Sequence, residues 1–212
     1  MNEVFVCDVL HHDTAGRPLE FERPVETQRP TFDIRNWRGE PLPREAFPTR
    51  IFGWSEDPEN EYEKYGGLEN LPHMLRTFGV ALSEQAAHIF RQFDLGKASL
   101  YPVELYRNDR KTLFDLRYEI NFGNVKSGYL PAISPATVPR SALIGGYYVP
   151  YPSRNDDIVL AQNVLSGPDL WVDPLVADAF FVSGALAKAL NEAGMQSDFN
   201  FMRCRIVEGK LA

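Results

Sequence analysis

The residues of this chain that could carry chemistry by type and spacing fall in two places. The first is His11-His12-Asp13, the densest group of potential metal ligands. Adjacent side chains of a strand point to opposite faces, so the two imidazoles could share an ion only around a turn, and the group reads first as a polar hairpin turn. The second is the run from Trp54 to Tyr65, with five carboxylates and three aromatic rings in twelve residues. Rings supply contact area at modest entropy cost, and clustered carboxylates steer a basic partner into place. Trp54, Glu56, Asp57, Glu59, Glu61, Tyr62 and Glu63 are therefore the expected partner-binding residues. The competing reading is a solvated acidic loop whose rings turn into the core. Asn155-Asp156-Asp157 reads only as a loop end ahead of a strand from Ile158 to Ala161.

Catalytic patterns are missing from the sequence. It has no G-x-S-x-G elbow, no phosphate-binding glycine loop ending in Lys-Ser or Lys-Thr, no G-x-G-x-x-G, no H-E-x-x-H and no C-x-x-C. His73 follows a proline and His88 lies beside helical core positions, so both read as surface or boundary residues. No catalytic residue, metal ligand or cofactor is expected. Cys7 and Cys204, near opposite ends of the chain, read as buried thiols of a reducing compartment.

The elements that must position these residues begin with Val4–Leu10, a β-rich run. A polar turn to Pro18 and then Leu19–Glu22 follow, which predicts an N-terminal hairpin. Pro24 to Pro72 shows no sustained period and reads as irregular loops. Ser83 is a predicted N-cap for a helix from Glu84 to Phe93, with Ala86, Ile89, Phe90 and Phe93 facing the core and Gly96 as terminator. Leu100–Tyr106 and Thr112–Ile120 alternate with period two and are expected to pair as a hairpin; Asn121 to Pro152 reads as a second loop region. A short strand over Asp169–Asp173 precedes Ala179–Val182, Ser183 and a helix from Gly184 to Ala193. Leu186, Ala189, Leu190 and Ala193 are its core face and Gly194 its stop, before a final strand from Phe199 to Val207. Ser183 and Ala187 repeat Ser83 and Ala87 at an offset of one hundred residues, which suggests a diverged internal repeat of a strand-helix-strand unit. The expected fold is α+β, with a mixed or antiparallel sheet, a few short helices and long loops. A single domain over 1–212 is expected, loop-rich in 1–78 and more regular in 79–212.

Composition narrows the function classes. With 44% hydrophobic and 24% charged residues, the chain falls within the range of folded domains. Lysine plus arginine is 22 against 29 for aspartate plus glutamate, a formal charge of −7. That is the wrong sign for a protein that wraps phosphate backbone, so nucleic acid is not an expected partner. The first residues lack a basic n-region and a long apolar core, and nowhere do eighteen apolar residues run together. A cytoplasmic protein without a membrane segment is expected.

The carboxy-terminal block carries a resemblance. Asp169-Leu170-Trp171, Phe180-Phe181-Val182-Ser183, Leu186-Ala187-Lys188-Ala189-Leu190, Glu192-Ala193-Gly194 and the aromatic Phe199 and Phe201 resemble the bacterial polymorphic-toxin immunity family numbered eleven, formerly a domain of unknown function. The block from Val80 to Tyr106 is similar to the family's first strand, Ser-helix and strand unit. The resemblance spans about Gly79 to Val207 and does not extend over Pro24 to Pro72, where the acidic run lies. It implies an immunity protein that binds a cognate toxin encoded by an adjacent gene and neutralises it stoichiometrically, with no family catalytic residue carried over. The alternatives are an enzyme that reverses a toxin's modification, or a structural scaffold.

Overall fold

Two serines open the two principal helices. The computed structural model describes residues 3–12, 15–16, 19–22, 34–53, 71–77, 79–135, 138–141 and 145–208. Within these, strand β5 (Val80–Ser83) runs directly into α1 (Glu84–Phe90), and β13 (Ala179–Ser183) into α2 (Gly184–Glu192). Each serine keeps an extended backbone while its Oγ accepts the N–H three residues on, Ala86 at 3.2 Å and Leu186 at 3.3 Å. These bonds satisfy amides that the first helical turn leaves orphaned. Gly194, at φ +81, stands where α2 must turn back, a conformation that costs glycine little.

The other strands that position the site are β1 (Val4–Asp8), β2 (Leu19–Phe21), β3 (Arg50–Gly53), β4 (Met74–Arg76), β6 (Ser99–Tyr106) and β7 (Leu113–Asn121). With them go β8 (Val138–Pro139), β9 (Tyr147–Tyr148), β11 (Leu170–Trp171), β12 (Val176–Ala177) and β14 (Met202–Arg203). One sheet has the order β2-β3-β6-β7-β5-β4, and a second has the order β11-β13-β1-β14. The stretch β6-β7-β5-β4 is antiparallel throughout, and so is β14-β1-β13-β11. In chain order the first unit is β4, β5, α1, β6, β7, and the second is β11, β13, α2, β14. The place that β7 holds in the first unit is held in the second by β1, from the other end of the chain.

The two units also grip one another reciprocally. Within each unit an equivalent bond sets the frame, Ser83 N–H donating to the His73 carbonyl at 2.9 Å and Ser183 N–H to the Asp169 carbonyl at 3.0 Å, and the bonds between units fall on the same two acceptor residues. Beyond α1, Asp94 exchanges bonds with Asp169: its carbonyl accepts the Asp169 N–H at 2.7 Å and its N–H donates to Asp169 Oδ2 at 2.9 Å. Beyond α2, Asp198 Oδ2 accepts the His73 N–H at 2.6 Å. Ala86, Ala87 and Phe90 of α1 and Leu186, Ala187 and Leu190 of α2 belong to one buried cluster, together with Met74, Leu82, Ile120 and Val182 from both sheets. Mutual burial of two amphipathic elements against two sheets is what makes helices of seven and nine residues stable.

The α+β class and the β6–β7 hairpin match expectation, and the repeat is present with an unforeseen permutation. Other expectations are corrected. Among the described residues β1 and β2 do not pair with each other as the expected N-terminal hairpin: β1 pairs with β13 and β14, and β2 pairs with β3. The reason is burial on both faces, since Cys7 packs into one core cluster while Val4 and Val6 pack into another, which places β1 centrally in its sheet. Helix α1 stops at Phe90, short of Phe93, and Ala87 takes the buried position while Ile89 and Phe93 are half-buried. In α2 Ala187 is buried, and Ala189 and Ala193 are only half-buried. The expected last strand is divided. Phe199 closes a short helix α3 (Gln196–Phe199), Asn200 is left-handed at φ 43, and β14 precedes β15 (Arg205–Val207), which pairs in parallel with β10 (Val159–Ala161). Within the supposed irregular stretch, β3 pairs in parallel with β6. Asn155–Asp157 does end a loop: Asn155 Oδ1 accepts the Arg203 N–H at 2.8 Å and Asp156 pairs with the Arg203 guanidinium at 2.7 Å.

Candidate functional site

Asp178 sits at the sharp step between β12 and β13 with φ +51, a left-handed conformation that costs most non-glycine residues but is comparatively well tolerated by Asp and Asn. Its carbonyl accepts the Val9 N–H at 3.0 Å, which ties the end of β1 to the turn. Asp178 lines a cavity of about 190 Å³ together with Val9, Leu10, Trp37, Arg76 and Thr77. Four separate parts of the chain meet here: the end of β1, the helical turn at 34–37, the β4–β5 turn and the β12–β13 step.

The aromatic wall is fixed from behind. Asn36, fully buried, donates from Nδ2 to the Ile120 carbonyl and accepts the Phe122 N–H at Oδ1, both at 3.0 Å, so the turn carrying Trp37 is pinned to the end of β7. The half-buried Trp37 ring packs on Phe122 with centroids 4.8 Å apart. Arg76 closes another side, and its Nη1 donates to the Leu10 carbonyl at 2.9 Å.

Among the described residues the Asp178 carboxyl has no hydrogen bond or ion pair, and burial pushes its pKa up from the usual 3.8. Arg140 is the strongest influence in the other direction; Asp8 adds to the rise, and Arg76 and His11 oppose it. The Arg140 guanidinium lies over the Tyr148 ring at 5.2 Å with its Nε buried and unpartnered. Next to these groups Asp8 and His11 form a pair, Nδ1 to Oδ2 at 2.8 Å, and the His11 ring stacks on the exposed Tyr151. Asp8 Oδ1 also accepts the Leu10 N–H at 3.1 Å, so the carboxylate shapes the turn that ends β1. The arrangement offers a half-buried carboxyl without a protein partner among the described residues, an aromatic face and apolar sides, which is equipment for recognising a donor-bearing group.

The acidic run singled out in the sequence, with Trp54, Glu56, Asp57, Glu59, Glu61, Tyr62 and Glu63, lies outside the described residues. Of His11-His12-Asp13, His11 is taken up by Asp8, His12 is buried and Asp13 is outside the described residues. Among the described residues no group of three potential ligands converges on a metal site. His88 is exposed, while half-buried His73 has a structural contact, Nδ1 to Ser83 Oγ at 2.8 Å. Cys7 and Cys204 are buried free thiols, and burial raises the pKa of each.

Sequence reasoning passed over Asp178, Trp37 and Arg76. One signal was present: Asp178 is the single acid inside the apolar run from Ala177 to Val182. Neither a protein-family model nor a curated protein matches the chain. Among the described residues no helix is long and apolar enough to cross a membrane.

Proposed function

We propose that this protein is an immunity protein of the bacterial cytoplasm that binds one cognate toxin domain and blocks it stoichiometrically. The observation that supports the reading best is the unit β11-β13-α2, because it is built from the segment that carries the family resemblance. Its Ser183 cap and the Phe180 and Val182 positions are those the resemblance rests on. The polar cleft at Asp178 and the −7 charge fit a protein that meets a basic partner surface. Trp54 and the acidic residues Glu56 to Glu63 are proposed as the part of the surface that attracts it.

The test is co-expression with the carboxy-terminal domain of the neighbouring gene product, followed by isolation of the complex. Relief of growth arrest together with a one-to-one complex is the expected result. Arrest that this protein leaves untouched would sink the proposal. A second reading, an enzyme that reverses a toxin's modification, draws on the Asp8–His11 pair beside Asp178. It requires substoichiometric protein to restore many equivalents of modified target, whereas a blocking protein protects only up to its own concentration.

A further inference from the structure

We infer that the cavity between the end of β1, the β4–β5 turn and the β12–β13 step is a receptor for one arginine side chain of the partner, with Asp178 as its carboxylate and Trp37 as its stacking face. The inference rests on the binding reading above for the source of that arginine. Its grounds are in the cavity itself.

At about 190 Å³ the space is smaller than the roughly 300–1,000 Å³ pockets that take whole drug-sized ligands, and it suits a single side chain. Among the described residues the Asp178 carboxyl, which belongs to a residue lining the cavity, has no hydrogen-bond partner. The carboxyl is half-buried, so a charged donor entering the cavity meets it partly screened from bulk water, where charge-assisted hydrogen bonds are stronger. The two nearby guanidiniums do not supply it. Arg76 is turned to the Leu10 carbonyl, Arg140 is stacked on Tyr148, and neither hydrogen-bonds Asp178. A planar guanidinium matches a carboxylate with two parallel N–H bonds and also stacks on an indole face, whereas an ammonium does the first less well. Val9 and Leu10 offer apolar wall to the methylene stem.

The probe is butylguanidinium chloride, with sodium butyrate as the oppositely charged counterpart, titrated into the whole protein and followed by Trp fluorescence and by backbone amide shifts of Val9 and Thr77. Saturable binding of butylguanidinium is expected, weakened at least tenfold in Asp178→Asn, a variant that retains tolerance of the left-handed backbone. Should that variant fail to fold, Asp178→Gly, which accepts φ +51 freely, is titrated instead and is expected to lose binding to the same extent. No saturable binding, binding equal in the Asp178 variants, or tighter binding of butyrate than of butylguanidinium overturns the inference. This readout uses no toxin, so its failure and the failure of the co-expression experiment are separate results.

Discussion

Asp178 is held in the neutral direction by burial, and this sets the sign of its own contribution to the pH dependence of stability. Its folded pKa lies above 3.8, so between 3.8 and the raised value the folded chain retains a proton that the unfolded chain has released. Stability from this residue is therefore full in acid and is lost as pH rises through the folded pKa. Asp178→Asn removes the ionisation and keeps the backbone, so it is expected to unfold at higher urea concentration than the native chain at neutral pH. The gap should close as the pH falls below about 3.8. Identical curves at both pH values would mean that Asp178 is not desolvated. The two capping serines allow a comparison at the same scale. Ser183→Ala removes one cap bond and is expected to cost about 1 kcal/mol. Ser83→Ala also strips His73 Nδ1 of its partner and should cost more, about 2 kcal/mol, in urea unfolding followed by circular dichroism.

The two capped helices and the β6–β7 hairpin were legible because their signals are local, whereas the turn-like signal after β1 misled and pairings across the chain were not legible. Ser83, Ser183 and Gly194 announced both helices because a cap is written in three or four adjacent residues. The β6–β7 pairing was readable from two alternating runs with a short polar turn between them. The partner of β1 was not readable, since Val4–Asp8 pairs with residues near 180 and 203, and a local pattern carries no address for so distant a strand. The cleft was hidden for the same cause, as Asp178, Trp37 and Arg76 meet only once β1 is in place. The permuted position of β1 has a direct consequence. Deleting residues 3–12 leaves β13 and β14 without the strand that lies between them, and the truncated chain is expected to lose cooperative unfolding. Appending the same residues after Glu208 through about six Gly/Ser residues, a reach of about 20 Å, is expected to restore a single cooperative transition. The reach suffices because Cys204 N–H already bonds the Val4 carbonyl at 2.8 Å, only four residues before the join. A restored chain would give the second unit the strand order that the first unit already has; an unfolded one would show that β1 must be made first.

At the scale of the whole molecule, attraction and anchoring are separate jobs, and kinetics distinguishes them. The 29 acids against 22 bases produce a field that acts before contact, whereas a half-buried carboxyl at a small cavity acts only after docking. Replacing Glu56, Asp57, Glu59, Glu61 and Glu63 by Gln, or Asn for Asp57, takes the formal charge from −7 to −2. Association with the toxin domain, followed by stopped flow, is expected to slow roughly tenfold at low ionic strength, where the Debye length is about 30 Å. Near 1 M salt, with a Debye length of about 3 Å, the native and altered chains should associate at the same rate. Dissociation should be little changed, because rim charges govern encounter more than residence. Asp178→Asn should reverse this pattern, with an association rate and salt slope like those of the native chain and a dissociation rate at least tenfold faster. If the five-residue change leaves association and its salt dependence untouched, the acidic run is a solvated loop and the partner docks elsewhere. The cavity at Asp178 then becomes the starting point for mapping the interface, since its argument draws on none of those five residues.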